Sequence, residues 1–225
     1  MNKAGFKYEE NKELYIVFFA VLIIRLLIAV LMWPGADEAY YYLYTLNPAL
    51  SYFDHPPMVA LAGGLIPALL GWVTPLALRL GPIILFSAAV VYFYKVAAYF
   101  LAPRARKMAA VLFMTVPMFF ISGTVLLPDA PLILFWVMGI YYFLRAQQRN
   151  TTADWVLFGA AAGFALLSKY TGGLLYIGAL IYMLSLKRKR KILLSYRPWL
   201  SVVIGLAIFS PVIIWNINNS FISFS

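Results

Sequence analysis

The chain has 225 residues, of which 64% are hydrophobic and 12% are charged. Soluble domains are about half apolar and about a quarter charged. This composition therefore excludes a water-soluble globule, and the absence of cysteine excludes a disulfide-stapled secreted scaffold. The formal net charge of +10 could indicate a nucleic-acid partner, but in an integral membrane protein basic residues mark the cytoplasmic loops.

Seven apolar segments are predicted to cross the membrane, because each approaches the roughly 20 residues that a helix needs to cross the hydrocarbon core. In chain order they are residues 14–33, 80–101, 108–122, 131–144, 155–168, 174–186 and 199–215. The first is too long for a signal peptide, and no small-residue cleavage site follows it, so it is predicted to be retained.

Residues 57–73 are also apolar, but they are short and interrupted by Gly63, Gly64 and Pro67. With seven spans, nearly all basic residues fall on the side of the N-terminus. They are Lys3, Lys7, Lys12, Lys95, Arg104, Arg106, Lys107, Arg145, Arg149, residues 187–191 and Arg197. An eighth span would divide them between the two faces. The positive-inside rule therefore predicts a cytoplasmic N-terminus, seven spans, and a juxtamembrane or re-entrant segment at 57–73.

The basic run at 187–191 lies next to a predicted span, where it is typical of an anchor that attracts anionic membrane lipids. Nucleic acid is therefore not expected as a partner.

Residues 34–78 form one long extracytoplasmic loop in this topology, and loops of that length are usually functional. Residues 37–46 are predicted to form a short, tyrosine-rich amphipathic helix. Asp37 and Glu38 open this helix, where acids favour the helix dipole, so capping is the alternative to catalysis. Neighbouring helical residues point about 100° apart, so the two carboxylates cannot face one reacting atom.

Four other outer residues are candidates for a functional site. Asp129 begins a predicted span, where an uncharged cap would suffice. Lys169 is a cation on the outer face, and it is either a snorkelling side chain or a phosphate ligand beside Gly172 and Gly173. His55 is the only histidine, which excludes a site with several histidine ligands, and Asp54 precedes it.

Five motifs in order resemble the protein mannosyltransferase and aminoarabinose transferase superfamily of GT-C-fold glycosyltransferases, which use polyprenyl-phosphate-linked sugars. The motifs are DEAYY at 37–41, YFDHPP at 52–57, PDAP at 128–131, LSKYTG at 167–172 and WN at 215–216.

The resemblance implies an all-α integral membrane fold with a conserved seven-helix module and juxtamembrane helices in the first outer loop. It implies one transmembrane domain over residues 1–225. Family members usually continue through further helices, so a C-terminal remainder is expected to be missing.

The resemblance also assigns roles to named residues. It implies that Asp37 is the catalytic carboxylate, that Asp129 is its companion, and that Lys169 lies near the lipid phosphate. Substrate binding is further expected of a mostly polar set. Its members are Glu38, Tyr41, Asp54, His55 and Arg79.

The residue types fit a single displacement with inversion at the anomeric carbon. A sugar on a lipid phosphate already has a good leaving group, so the site needs a base for the acceptor and positive charge for the phosphate. The expected partners are a polyprenyl-phosphate-linked sugar and a lipid, glycan or protein acceptor. No cofactor is assigned and a divalent cation is left open, so Asp129 is expected to orient either the acceptor or such a cation.

Two rivals remain at this stage. Gly- and Pro-interrupted segments also occur in transporters and lipid flippases, although these place ionisable residues near the midplane. Here only Arg25 lies deep within a span, and the acids gather on one face. The other rival is a non-catalytic membrane subunit. The bacterial inner membrane is the expected location.

Overall fold

The computed structural model describes residues 12–224, and within this range the protein is all-helical, with no strand. Four helices are long and apolar enough to cross a membrane: α1 (Lys12–Leu31), α4 (Pro75–Ala97), α7 (Asp129–Arg149) and α11 (Tyr196–Asn218). At about 1.5 Å per residue, each covers the roughly 30 Å hydrocarbon core. The all-α membrane architecture is confirmed. The predicted flank at Lys3 and Lys7 lies outside the described residues.

The remaining predicted spans are shorter. The segment at 108–122 is predicted to be one helix, and this prediction is wrong. The structure has two helices there, α5 (Pro103–Thr115) and α6 (Pro117–Ser122). The break lies at Val116 because Pro117 has no N–H to continue the α5 ladder. Two further helices, α8 (Thr152–Ser168) and α9 (Leu174–Ser185), are apolar but below the length of a full span. A short basic helix, α10 (Lys187–Arg190), follows α9. The count of seven spans stays a prediction.

The predicted outer loop carries two helices, α2 (Ala36–Leu46) and α3 (Met58–Leu70). Helix α3 is about 20 Å long, too short to cross alone, and it ends at Gly71 in the left-handed region (φ 73°). It packs against α2 and α4. A side chain at Gly81 of α4 would overlap the carbonyl oxygen of Ala62 in α3, so glycine permits this close approach.

Helix α8 packs against both α7 and α11. Its almost fully buried Trp155 and Phe158 cluster with Phe143 of α7 and with α9. Gly159 and Gly163 lie on the α8 face that meets α11, where a Cβ would press on Ser201 and Gly205. This close packing fixes the start of α7 and the end of α8, the two points that carry Asp129 and Lys169.

Arg25 lies buried within α1 at the α5–α6 break. Its Nη2 lies 3.4 Å from the carbonyl oxygens of both Met114 and Phe119, and its guanidinium carbon is 4.2 Å from the Phe86 ring centroid. It thereby offers a donor to the Met114 carbonyl in the last turn of α5 and a second donor to the Phe119 carbonyl, which also accepts the Gly123 N–H. Arg25 is therefore buried within a candidate span, and its depth in the membrane stays a prediction.

Charged residues separate between the two ends of the bundle. At one end, which we call the basic end, contacts join the start of α1 to that of α5, the end of α7 to the start of α8 and to the segment after α9, and the start of α8 to that of α11. The contacts are Lys107–Glu13, Arg145–Asp154, Arg197–Thr152 and Lys189–Gln147. Asp37, Asp54 and Asp129 lie at the opposite end, which we call the acidic end. The basic loops therefore share one end, as predicted.

Candidate active site

Helix α2 places Asp37 and Glu38 on different faces, as predicted. Asp37 is exposed, and no hydrogen bond or ion pair from residues 12–224 engages its carboxylate. Glu38 is only 5% exposed, and it accepts a hydrogen bond from the backbone N–H of Gly35 at 3.0 Å. The capping role that the sequence left open for both acids therefore belongs to Glu38, and the Asp37 carboxylate is available for other partners.

Glu38 forms a bidentate ion pair with Arg79 of α4. Arg79 Nε donates to Oε1 at 2.8 Å, and Nη2 donates to Oε2 at 2.6 Å. The remaining Arg79 donors reach the carbonyl oxygens of Ile28, Met32 and Trp33 at 3.2, 2.7 and 3.2 Å. Arg79 thereby satisfies the Met32 and Trp33 carbonyls that follow α1 and gives a second donor to the Ile28 carbonyl, which also accepts the Met32 N–H.

The same pair reaches the loop that leads to α7. Oε1 of Glu38 accepts the backbone N–H of Leu126 at 3.1 Å. Burial alone would raise the pKa of Glu38, but the hydrogen bonds from Arg79, Gly35 and Leu126 lower it below its usual value. Because both side chains are buried and mutually paired, the geometry favours a positioning role over the direct substrate contact that the sequence predicted.

A tyrosine network, formed by Tyr40, Tyr44 and Tyr52, fixes the segment at 52–57 against α2. The Tyr44 and Tyr52 rings stack at 3.8 Å, and the Tyr52 hydroxyl donates to the Tyr44 carbonyl at 2.8 Å. The Tyr44 hydroxyl donates to that of Tyr40 at 2.8 Å, and Tyr40 donates to the Asp54 carboxylate. Sequence reasoning missed this network, although the spacing of Tyr40 and Tyr44 predicts neighbours on one helix face.

Asp129 and Lys169 form the second ion pair of the acidic end. Asp129 begins α7, Lys169 follows α8, and Lys169 Nζ lies 3.4 Å from Asp129 Oδ1. Their side chains are 27% and 34% exposed, in contrast with the 6% and 2% of Glu38 and Arg79. The Asp129–Lys169 pair is thus open to an incoming ligand. A side chain at Gly172 would overlap the backbone of Ala165, so this glycine serves packing of the turn on α8.

Tyr41 and His55 join this ion pair to α2. Their ring centroids lie 5.6 Å apart. Burial, with the nearby Tyr44 and the charges of Asp37, Asp129 and Asp54, raises the pKa of Tyr41 to about 12. Tyr41 is therefore protonated at neutral pH and can donate a hydrogen bond.

His55 is held neutral. Burial and the positive charge of Lys169 lower the pKa of His55 below its ordinary value, and the charges of Asp54 and Asp129 oppose this in part. Its Nδ1 is buried without a hydrogen-bond partner. Tyr41 and His55 are thus within electrostatic range of the surrounding charges, and we call this group of six predicted residues the carboxylate cluster. It comprises Asp37, Tyr41, Asp54, His55, Asp129 and Lys169.

Within residues 12–224, no three histidine or acidic side chains come together in a way that could hold a metal ion. The divalent cation that the sequence left open therefore has no ready-made set of protein ligands in this part of the chain.

The end of α11 reaches the same region. Asn216 is buried, and its side-chain oxygen accepts the Ser223 N–H at 3.4 Å. The Ser223 hydroxyl donates to the Tyr52 carbonyl at 3.2 Å. Asn216 of the predicted WN motif thus supports the segment at 52–57 through Ser223. Ser223 and Tyr52 are 171 residues apart in the sequence, so no local pattern predicts their contact.

Two curated bacterial proteins are similar to this chain. The lipid A galacturonosyltransferase RgtD of Rhizobium johnstonii is 26% identical over 185 residues, which cover 81% of this chain and 38% of RgtD. The lipopolysaccharide core galacturonosyltransferase RgtB of the same organism is 33% identical over 79 residues, covering 35% of this chain and 16% of RgtB. The chain thus spans well under half the length of these relatives.

A solved structure shares the fold. The Saccharomyces cerevisiae protein O-mannosyltransferase Pmt1-Pmt2 complex bound to the sugar donor matches with a TM-score of 0.67 at 19% identity. The match covers 99% of this chain and 35% of that one. The family described as dolichyl-phosphate-mannose-protein mannosyltransferase matches residues 54–215, which include most of the carboxylate cluster. The chain is an integral membrane protein that belongs to this glycosyltransferase family.

Proposed function

We propose that the protein transfers a sugar from a polyprenyl-phosphate carrier to an acceptor at the membrane surface, with inversion at the anomeric carbon. The observation that carries the proposal is the placement of an exposed, unpaired carboxylate, Asp37, in one cluster with the accessible Asp129–Lys169 pair. A base and a phosphate-binding cation are the two groups that this displacement requires.

Asp37 accepts the proton of the acceptor hydroxyl or amine as the acceptor attacks the sugar from the face opposite the phosphate. The bond from the anomeric carbon to the phosphate oxygen breaks, and the carrier leaves as polyprenyl phosphate. General-base help is typically worth about 10²–10⁴-fold.

Lys169 stabilises the departing phosphate, and Asp129 holds the Lys169 ammonium in place until the donor arrives. Tyr41, protonated at neutral pH, and neutral His55 donate hydrogen bonds to the sugar or phosphate without adding charge. Asp54, held by Tyr40, lines the approach.

The relatives support a particular acceptor class. RgtD and RgtB are named for lipid A and for the lipopolysaccharide core. We therefore propose a lipid-anchored saccharide of the bacterial envelope as the acceptor. The acidic end then faces away from the cytoplasm at the inner membrane, and the basic end faces the cytoplasm in accordance with the positive-inside rule.

A transfer assay tests the proposal. Membranes containing the protein are supplied with radiolabelled sugar on polyprenyl phosphate and with lipid A or lipopolysaccharide core acceptors. The expected result is label covalently attached to the acceptor, with inverted anomeric configuration by NMR. Movement of the labelled donor across vesicles without transfer would instead support the flippase alternative. Retained configuration would contradict the single displacement.

A further inference from the structure

A groove of about 270 Å³ lies near the basic end, between the first two turns of α1 and the second and third turns of α5. Its walls are the apolar side chains of Leu14, Val17, Met108, Val111 and Leu112. Met108 and Leu112 are 60% and 59% exposed, so the groove opens sideways. In a bilayer this opening faces lipid, and an apolar chain can enter without crossing a polar layer.

The rim of the groove is charged. Glu13 and Lys107 lie at one end of it, with Lys107 Nζ 3.3 Å from Glu13 Oε2. Glu13 is 87% exposed, so water screens this pair. Arg104 lies one helical turn before Lys107 on the same face of α5 and is exposed, and Lys12 precedes Glu13 on α1.

Among residues 12–224, positive charge therefore exceeds negative charge at this rim, while the interior is apolar. Basic pockets between transmembrane helices are suited to anionic headgroups. The volume is close to the roughly 300 Å³ at which ligand pockets begin. An amphiphile with an acyl chain and an anionic head satisfies both parts of the groove, whereas a water-soluble anion satisfies only the rim.

We propose that this groove binds one acyl chain of an anionic phospholipid from the leaflet at the basic end, with the phosphate held by Arg104 and Lys107. The site is separate from the carboxylate cluster, which lies at the opposite end of the bundle, and it does not depend on the proposed transferase activity.

Native mass spectrometry of the detergent-purified protein, titrated with phosphatidylglycerol or phosphatidylcholine, tests the site. Phosphatidylglycerol is expected to bind more tightly than phosphatidylcholine. The double variant Arg104→Gln, Lys107→Gln should lower phosphatidylglycerol affinity roughly 30-fold, since each basic residue near a headgroup contributes about a factor of five. The variant Arg149→Gln, Arg197→Gln removes the same charge at the same end, away from the groove and from the basic run at 187–191, and should keep near-native affinity.

The apolar wall is tested separately by Val111→Trp, which fills the groove and should lower phosphatidylglycerol binding while leaving the melting temperature within a few degrees. Equal affinity for the two lipids would overturn the proposal. Equal losses in both double variants would also overturn it, because general surface charge would then explain binding. Full competition by soluble glycerol phosphate would exclude the apolar part of the site.

Discussion

The two ion pairs at the acidic end differ in their burial and in the number of groups that each pair contacts. Glu38 and Arg79 are buried, bidentate and supplemented by backbone groups from α1, Gly35 and Leu126. Asp129 and Lys169 are about one-third exposed and joined by one contact of 3.4 Å. The first pair has few donors or acceptors left for a ligand, whereas the second can exchange its partner. We therefore assign a structural role to the Glu38–Arg79 pair and propose substrate binding only for the Asp129–Lys169 pair.

Breaking the buried pair is expected to have the largest effect on stability. Glu38→Ala leaves the Arg79 guanidinium buried without its counter-ion, which typically costs about 3–5 kcal/mol. Thermal unfolding in detergent checks this value. The matched variant Glu13→Ala breaks the exposed Glu13–Lys107 pair and should cost less than about 1 kcal/mol. Similar losses in the two variants would contradict the structural role of Glu38.

Removing Lys169 should weaken donor binding with little effect on stability. Lys169→Gln loses a charge-assisted contact to phosphate worth about 1.5–3 kcal/mol, so donor affinity should fall roughly 10- to 100-fold. The unfolding free energy should change by less than about 1 kcal/mol, because the pair with Asp129 is partly exposed. Lys169→Arg, which keeps the charge, should recover most of the affinity. Unchanged donor affinity in Lys169→Gln would remove Lys169 from the site.

The tyrosine network is expected to contribute less. Tyr40→Phe removes the hydroxyl that donates to Asp54 and accepts from Tyr44. Because both Tyr40 and Asp54 are exposed, the stability loss should be about 0.5 kcal/mol, at the low end for a hydrogen bond. Tyr42→Phe, a neighbour with no place in this network, provides the control in the same unfolding experiment. A loss in Tyr42→Phe as large as in Tyr40→Phe would argue against the network.

The smallest effect is a pH dependence from His55. Its pKa is lower in the folded than in the unfolded protein. In the window between the folded value and about 6.5, the unfolded state binds more protons, so this contribution is present above about pH 6.5 and is lost as the pH falls. His55→Gln should therefore reduce the decline in melting temperature between pH 7.5 and 5.5. Identical pH profiles for wild type and variant would contradict the depressed pKa.

Local patterns in the sequence predicted the parts of the fold that depend on hydropathy and charge. The apolar runs indicated α1, α4, α7 and α11, and the tyrosine-rich segment indicated α2. The break at Val116 was missed because the apolar run continues through it, although Pro117 was its signal. Arg79 is predicted to bind substrate. Its pairing with Glu38 is not predictable from a local pattern, because the two residues are 41 positions apart in the sequence.

For the site, the motif resemblance identified residues that the fold brings together. It could not show which of them are buried and which are exposed. Asp37 and Glu38 are adjacent in sequence, and only the packing of α2 against α4 and the Leu126 loop shows which one is buried. The support that Ser223 gives to Tyr52 depends on the return of the chain after α11, which the sequence does not encode locally.

The central claim, that Asp37 is the base, is tested most directly by the turnover of Asp37→Asn in the sugar-transfer assay. The account predicts a loss of about 10²–10⁴-fold in turnover. Donor affinity and melting temperature should stay near wild type, because the Asp37 side chain is exposed and unpaired. Glu13→Gln, an acid lost at the opposite end, should transfer sugar at the wild-type rate. Near wild-type turnover in Asp37→Asn would contradict the assignment.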